Sequence, residues 1–251
     1  MGLFKAGNPA FNEKTIQTIS YETGQELMTA NGAMKKFGLM LVMLLGAASF
    51  TWTAFYKGVD VMPWAVGSAI GGFVVAMLII FKKTWAPYLA LAYALLEGLF
   101  LGAISAVFEA AFHDKYPGLV MQAVMLTFGV AVGMFALYYF RIIKATETFK
   151  KVVIGATIGI ALFYLVAMIM NLFGAQMPYL HSNGTIGIGI SLFVVAIASL
   201  NLILDFDLIE QGANHGAPKY FEWYCAFGLM VTIVWLYLEM LKLLAKLASR
   251  K

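Results

Sequence analysis

Leu200-Asn-Leu-Ile-Leu-Asp205-Phe-Asp207-Leu-Ile-Glu-Gln-Gly212 and, further on, Trp235-Leu-Tyr-Leu-Glu239-Met-Leu-Lys242 set carboxylates inside runs apolar enough to lie in lipid. An ionised acid at the centre of a bilayer costs about 3 kcal/mol or more unless a partner or water receives it. The runs read as membrane-spanning helices, and their acids as candidates for function. The rest of the chain agrees: 62% of its 251 residues are hydrophobic, 12% are charged, and the mean hydropathy is +0.84. A soluble domain carries about 25% charge. The fold class is all-α, a polytopic membrane protein, with room for about seven spans of about 20 residues each.

The spans are expected near 37–56, 61–81, 86–108, 118–140, 152–174, 186–209 and 224–246. Residues 1–33 hold Pro9, Asn12 and several Thr and Ser with no long apolar run, and read as an irregular cytoplasmic arm with an amphipathic turn from Thr18 to Met28. Residues 34–251 form one transmembrane domain. Polar residues throughout the first 36 positions do not make a cleavable signal peptide, so the first span is expected to direct insertion. Lys35-Lys36, Lys82-Lys83 and Lys150-Lys151 mark every second boundary, whereas the opposite loops carry little charge beyond Lys57, Asp60 and His113-Asp-Lys115. The positive-inside rule puts the lysine pairs and the amino terminus in the cytoplasm. It also accounts for the net charge of +4, so nucleic acid is not an expected partner. Trp52, Tyr56, Trp64, Trp85, Tyr88, Tyr138, Tyr139, Tyr220 and Trp223 fall where interfacial anchors are wanted.

Small residues recur at intervals of four: Gly67 with Gly71, Gly98 with Gly102, Gly129 with Gly133, Gly155 with Gly159, and Gly187 with Ser191. In lipid such positions let helix backbones approach closely, and five spans so equipped predict a packed bundle. Cys225 is the single cysteine, which rules out an internal disulfide and a cysteine-based zinc site.

Chemistry-bearing residues are few. Glu97 lies twelve residues past Trp85, about 18 Å along a helix and so near the midplane. It reads either as a pore-lining acid or as a structural one. Asn201 and Asp205 share a helical face at a spacing of four, and Glu239 has Lys242 at plus three. Asp207, Glu210 and Glu222 read as solvated loop charges, and Gly212 to Trp223 as a long connection. His113, His181 and His215 fall in expected loops, outside any ligand spacing, and no nucleophile elbow or phosphate loop is present. An enzyme is not expected.

Leu-Leu-Glu97-Gly-Leu-x-Leu-Gly102, Asp205-Phe-Asp-Leu-Ile-x-x-Gly-Ala-Asn-His215-Gly216 and Trp235-Leu-Tyr-Leu-Glu239-Met-Leu-x-Leu-Leu, in this order, resemble three motifs of the Bax inhibitor-1 family. The likeness runs from about Lys35 to the carboxyl end, and the arm before it looks like an addition of one bacterial branch. The resemblance implies a seven-transmembrane-helix bundle with six helices around a central seventh, and a pH-sensitive Ca²⁺ leak in a bacterial inner membrane. It also implies a proton-sharing carboxylate pair on the sixth and seventh helices, whose matching positions are Asp205 and Glu239. The physics is consistent, because two close carboxylates cannot both ionise cheaply, and once ionised they present oxygens to a hard cation. Asp205 and Glu239 are therefore also the residues expected to bind Ca²⁺ transiently, with no other cofactor. Asn201, Lys82, Lys83 and Lys242 are the candidate gate partners.

Three departures from the family pattern are visible. Glutamate stands at 239 where the motif has aspartate, Lys82 or Lys83 stands where the family has a basic residue near the third helix, and 34 positions separate the pair. Two other functions suit the same acids: a non-conducting regulator bound to a membrane partner such as a quality-control protease, and a proton-coupled secondary transporter.

Overall fold

Helices here begin where a side chain can supply what the first turn lacks. Thr29, in extended backbone at φ −128° and ψ 148°, accepts a hydrogen bond from Gly32 N and starts α1, Ala30–Tyr56. Thr146 does the same for Phe149 N and starts α5, Glu147–Leu172. Both helices begin several residues before the apolar runs at 37 and 152, because hydropathy registers the lipid-facing stretch and a cap registers the backbone. Lys35-Lys36 and Lys150-Lys151 consequently lie on the opening turns of helices.

The structure, a computed structural model, describes residues 26–174 and 184–250. Residues 1–25 of the expected irregular arm, with most of its amphipathic turn, lie outside the described residues; so does His181. The remaining elements are α2 (Met62–Phe81), a 3₁₀ turn (Lys83–Trp85), α3 (Ala86–Phe112), α4 (Leu119–Tyr139), α6 (Thr185–Asn214) and α7 (Phe221–Ala248). Among the described residues, seven helices are long and apolar enough to cross a membrane, and the fold is the expected all-α seven-helix bundle. The last helix is the most enclosed, with 67% of its apolar window buried against 17–50% in the other six.

The chain divides into two units, Met1–Val107 with Asp205–Val231, and Phe108–Leu204 with Thr232–Lys251. In the first unit α3 lies hard against α1. A Cβ added at Gly98 or Gly102 would collide with the carbonyl oxygens of Leu44 and Ala48 respectively. At that crossing the buried Thr51 donates to Leu99 O at 3.1 Å. Val61, Ala65 and Ala103 make a small core with Phe55, Phe100 and Ile104 around it. The ring of Tyr93 meets that of Phe227 edge-on at 4.9 Å.

Close approach was expected at five small-residue pairs, but it is concentrated at Gly98 and Gly102. Cβ atoms at Gly67, Gly129, Gly133, Gly155 and Gly159 would meet nothing within 4 Å among the described residues. The spacing is necessary for close packing, and only the presence of a facing backbone makes it sufficient.

The second unit packs Ile160 of α5 against Val194 and Ile197 of α6, with Tyr164, Leu200 and Trp235 alongside. Asn201 donates its amide to Thr157 Oγ1 and to Ile197 O, each at 2.8 Å, and so joins α6 to α5. Glu109, near the end of α3, accepts from Gly118 N at 2.6 Å and Val120 N at 2.9 Å, satisfying donors that the start of α4 leaves open. Gly118 itself has φ 79°, a conformation that favours glycine.

Candidate functional site

The site of the first unit lies where α6 gives way to α7. Helix α6 continues past Gly212 to Asn214, so the expected long connection is in fact residues 215–220. Asp207 and Glu210 therefore stand half-buried on α6, and Gln211 donates to Asp207 at 2.5 Å. Glu222 is the larger correction: it is not a loop charge but a fully buried residue in the first turn of α7. Its Oε1 accepts from Thr29 N at 2.9 Å and Thr29 Oγ1 at 3.2 Å, Lys36 pairs with Oε2, and Lys219 lies 3.5 Å away.

The same segment is tied down through its backbone. Met28 N donates to Ala217 O at 2.8 Å, Lys219 N donates to Glu26 O at 2.9 Å, and Leu27 forms an antiparallel bridge with Pro218. A Cβ at Gly32 would strike the Glu222 carboxylate and displace it from its present position. Tyr220, in the connection outside the spans, has its phenol pushed above the ordinary value by burial, so it stays a neutral hydroxyl.

The other predicted residues of this unit have the following surroundings. Asp205 is half-buried on α6, and its Oδ1 lies 3.8 Å from the Cβ position of Gly228 on α7, where glycine leaves it room. Glu97 is half-buried on α3, hydrogen-bonded to Tyr93 one turn earlier, and its Oε1 is 3.0 Å from the Cβ position of Gly72 on α2. It therefore reaches the neighbouring helix. Lys82 lies over the Trp85 ring at 4.4 Å, and Lys83 over the Tyr224 ring at 5.3 Å, which brings Lys83 to the opening turns of α7.

The second unit holds Glu239, which is 2% exposed on α7. Both carboxylate oxygens are engaged: Lys242 donates to Oε1 at 3.0 Å, and the Tyr164 hydroxyl from α5 donates to Oε2 at 3.0 Å. The ammonium of Lys242 also lies 5.1 Å from the centre of the Tyr164 ring, closing a triangle of carboxylate, phenol and ammonium. One turn further, Lys246 donates to Ser191 Oγ at 2.8 Å and Gly187 O at 3.1 Å. A proton or metal cation that takes Glu239 must compete with an ammonium and a phenol.

Of the candidate gate partners, Lys242 contacts a predicted acid, Glu239, and the spacing of three found it. Lys246 shares the stripe of Glu239 on α7 at plus seven, whereas Tyr164 and Ser191 come from other helices and no local spacing signals them. Asp205 belongs to the first unit and Glu239 to the second.

The family model described as Bax inhibitor 1 like matches residues 8–249. The match begins well before Lys35, so most of the arm expected to be a branch-specific addition falls within the family's extent. No curated protein and no solved structure matches the chain.

Proposed function

The chain belongs to the Bax inhibitor 1 like family, and on that premise we propose that it is a slow, pH-sensitive leak for cations, Ca²⁺ among them. In this reading Glu239 is the protonated or cation-loaded site of the gate. The observation that carries it is a 2%-exposed carboxylate within a membrane span, held by one phenol and one half-exposed ammonium. Protonating Glu239 removes the charge that holds Lys242, so proton binding at one atom changes the contact between α5 and α7 in the second unit. A few kcal/mol of difference at such a contact is enough to bias a two-state element.

Asp205, whose Oδ1 faces the Cβ position of Gly228 on α7, acts in this proposal as the second protonatable carboxylate of the gate. Glu97, with Tyr93 and Gly72 about it, is a structural acid that joins α3 to α2. The protein lies in a bacterial inner membrane with the amino terminus in the cytoplasm, a topology supported by the lysine pairs at alternate helix boundaries.

The test is Ca²⁺ entry into liposomes holding the purified chain, followed from acidic to mildly alkaline pH for wild type, Glu239→Gln and Asp205→Asn. Flux that depends on pH in wild type and loses that dependence in Glu239→Gln supports the proposal. Flux no greater than in empty liposomes, from protein that elutes as a folded species, refutes it and leaves a non-conducting role.

A further inference from the structure

The carboxyl-terminal turns of α7 carry Glu239, Lys242 and Lys246 on one stripe, and the two ammonium groups occupy positions lined with oxygen. Lys242 rests against Glu239 Oε1 at 3.0 Å with the Tyr164 ring 5.1 Å away. Lys246 rests against a hydroxyl, Ser191 Oγ at 2.8 Å, and a carbonyl, Gly187 O at 3.1 Å. Carboxylate, hydroxyl and carbonyl oxygens are the donors that hard metal cations take, and an aromatic face adds attraction for a positive charge.

We infer that Lys242 and Lys246 are tethered surrogate cations, filling two successive positions that a passing metal cation must occupy. The inference rests on the proposed leak at Glu239 and names how that site is kept shut. The exposures suit an exchange of ligands: Glu239 is fixed in the interior at 2%, while Lys242 is 46% exposed on a flexible stem that can swing its ammonium into water. A cation reaches Glu239 when Lys242 leaves, and reaches Ser191 and Gly187 when Lys246 leaves.

The decisive variant is Lys242→Cys in the full chain, in liposomes loaded with a Ca²⁺ indicator. The native thiol, Cys225, is 1% exposed, so a water-soluble reagent modifies the introduced one. Removing the ammonium should raise Ca²⁺ flux about tenfold, the factor that corresponds to one charge-assisted hydrogen bond. Aminoethyl methanethiosulfonate then restores an ammonium on a stem of similar length: the thiolate sulfur bonds the reagent sulfur and methanesulfinate leaves. This treatment should return flux to the wild-type rate, whereas methyl methanethiosulfonate, which adds no charge, should leave it high. Lys242→Arg should stay slow.

An increase that the charged reagent fails to reverse overturns the inference. So does flux in Lys242→Cys equal to wild type and indifferent to both reagents; if wild-type flux remains pH-dependent, the leak at Glu239 survives that result. No flux from wild type, Lys242→Cys or the Lys242→Cys, Lys246→Met double variant, with each eluting as a folded species, overturns the inference and the leak together.

Discussion

Replacing Glu222 by Gln isolates the charge of a buried acid while keeping its shape. The carboxylate is fully buried and paired with Lys36, itself 18% exposed, while Lys219 is 46% exposed. Breaking a buried pair by removing one partner costs about 3–5 kcal/mol. Water reaching Lys36 puts this case at the lower end, and the exposed Lys219 adds at most about 1 kcal/mol. Gln keeps an oxygen that can accept from Thr29 N, so the cap of α1 loses little. The expected cost is about 3 kcal/mol, which lowers the melting midpoint of a chain this size by about 6–12 °C. Thermal unfolding of the purified protein in one detergent reads this directly. Adding Lys36→Met to Glu222→Gln removes the stranded charge and should recover part of the loss, so the double variant melts above the sum of the single effects. A Glu222→Gln midpoint within about 1 °C of wild type, or strict additivity in the double variant, would refute the reasoning.

The glycines offer a paired test: Gly98→Ala and Gly102→Ala should each destabilise by about 3 kcal/mol or more as α1 is forced away from α3, whereas Gly129→Ala, with open space around it, should be neutral or stabilising by up to about 1 kcal/mol. The same melting assay separates the two outcomes. Tyr164→Phe removes a donor from the buried Glu239 and should cost about 1–3 kcal/mol, and in the liposome assay it should shift the pH dependence of Ca²⁺ flux; an unchanged profile would count against Glu239 as the sensor. Glu109→Gln should cost about 1 kcal/mol by weakening the bonds to Gly118 N and Val120 N, and faster amide exchange over the opening turn of α4 would report it.

Seven spans were legible because hydropathy over about 20 residues integrates many small contributions. Their true ends were less so, since Thr29 and Thr146 act through single hydrogen bonds that no average detects. The contact of Glu239 with Lys242 was legible in a spacing of three on one helix. Glu222 was not: it lies close to a polar connection, and Lys36 is 186 residues earlier, where the Lys35-Lys36 pair has a sufficient explanation in membrane topology. The glycine motifs show the same limit from the other side, because spacing specifies a face and says nothing of what meets it. Tyr164 reads in sequence as one more aromatic within an apolar run, and only the fold turns its hydroxyl into a ligand of Glu239.

The long separation within the Glu222 cluster sets a timetable for assembly. A ribosome adds about 5–20 residues per second, so the 186 residues between Lys36 and Glu222 take roughly 10–40 s to make. Throughout that interval α1 is already synthesised while the acid that pairs Lys36 and reinforces Thr29 does not yet exist. The strap from Glu26 to Thr29 cannot dock until the connection to α7 has emerged, so the first unit closes on nearly its last-made part. Any factor that holds the amino-terminal segment during synthesis has that window in which to act, and a chain truncated before Phe221 should never leave it.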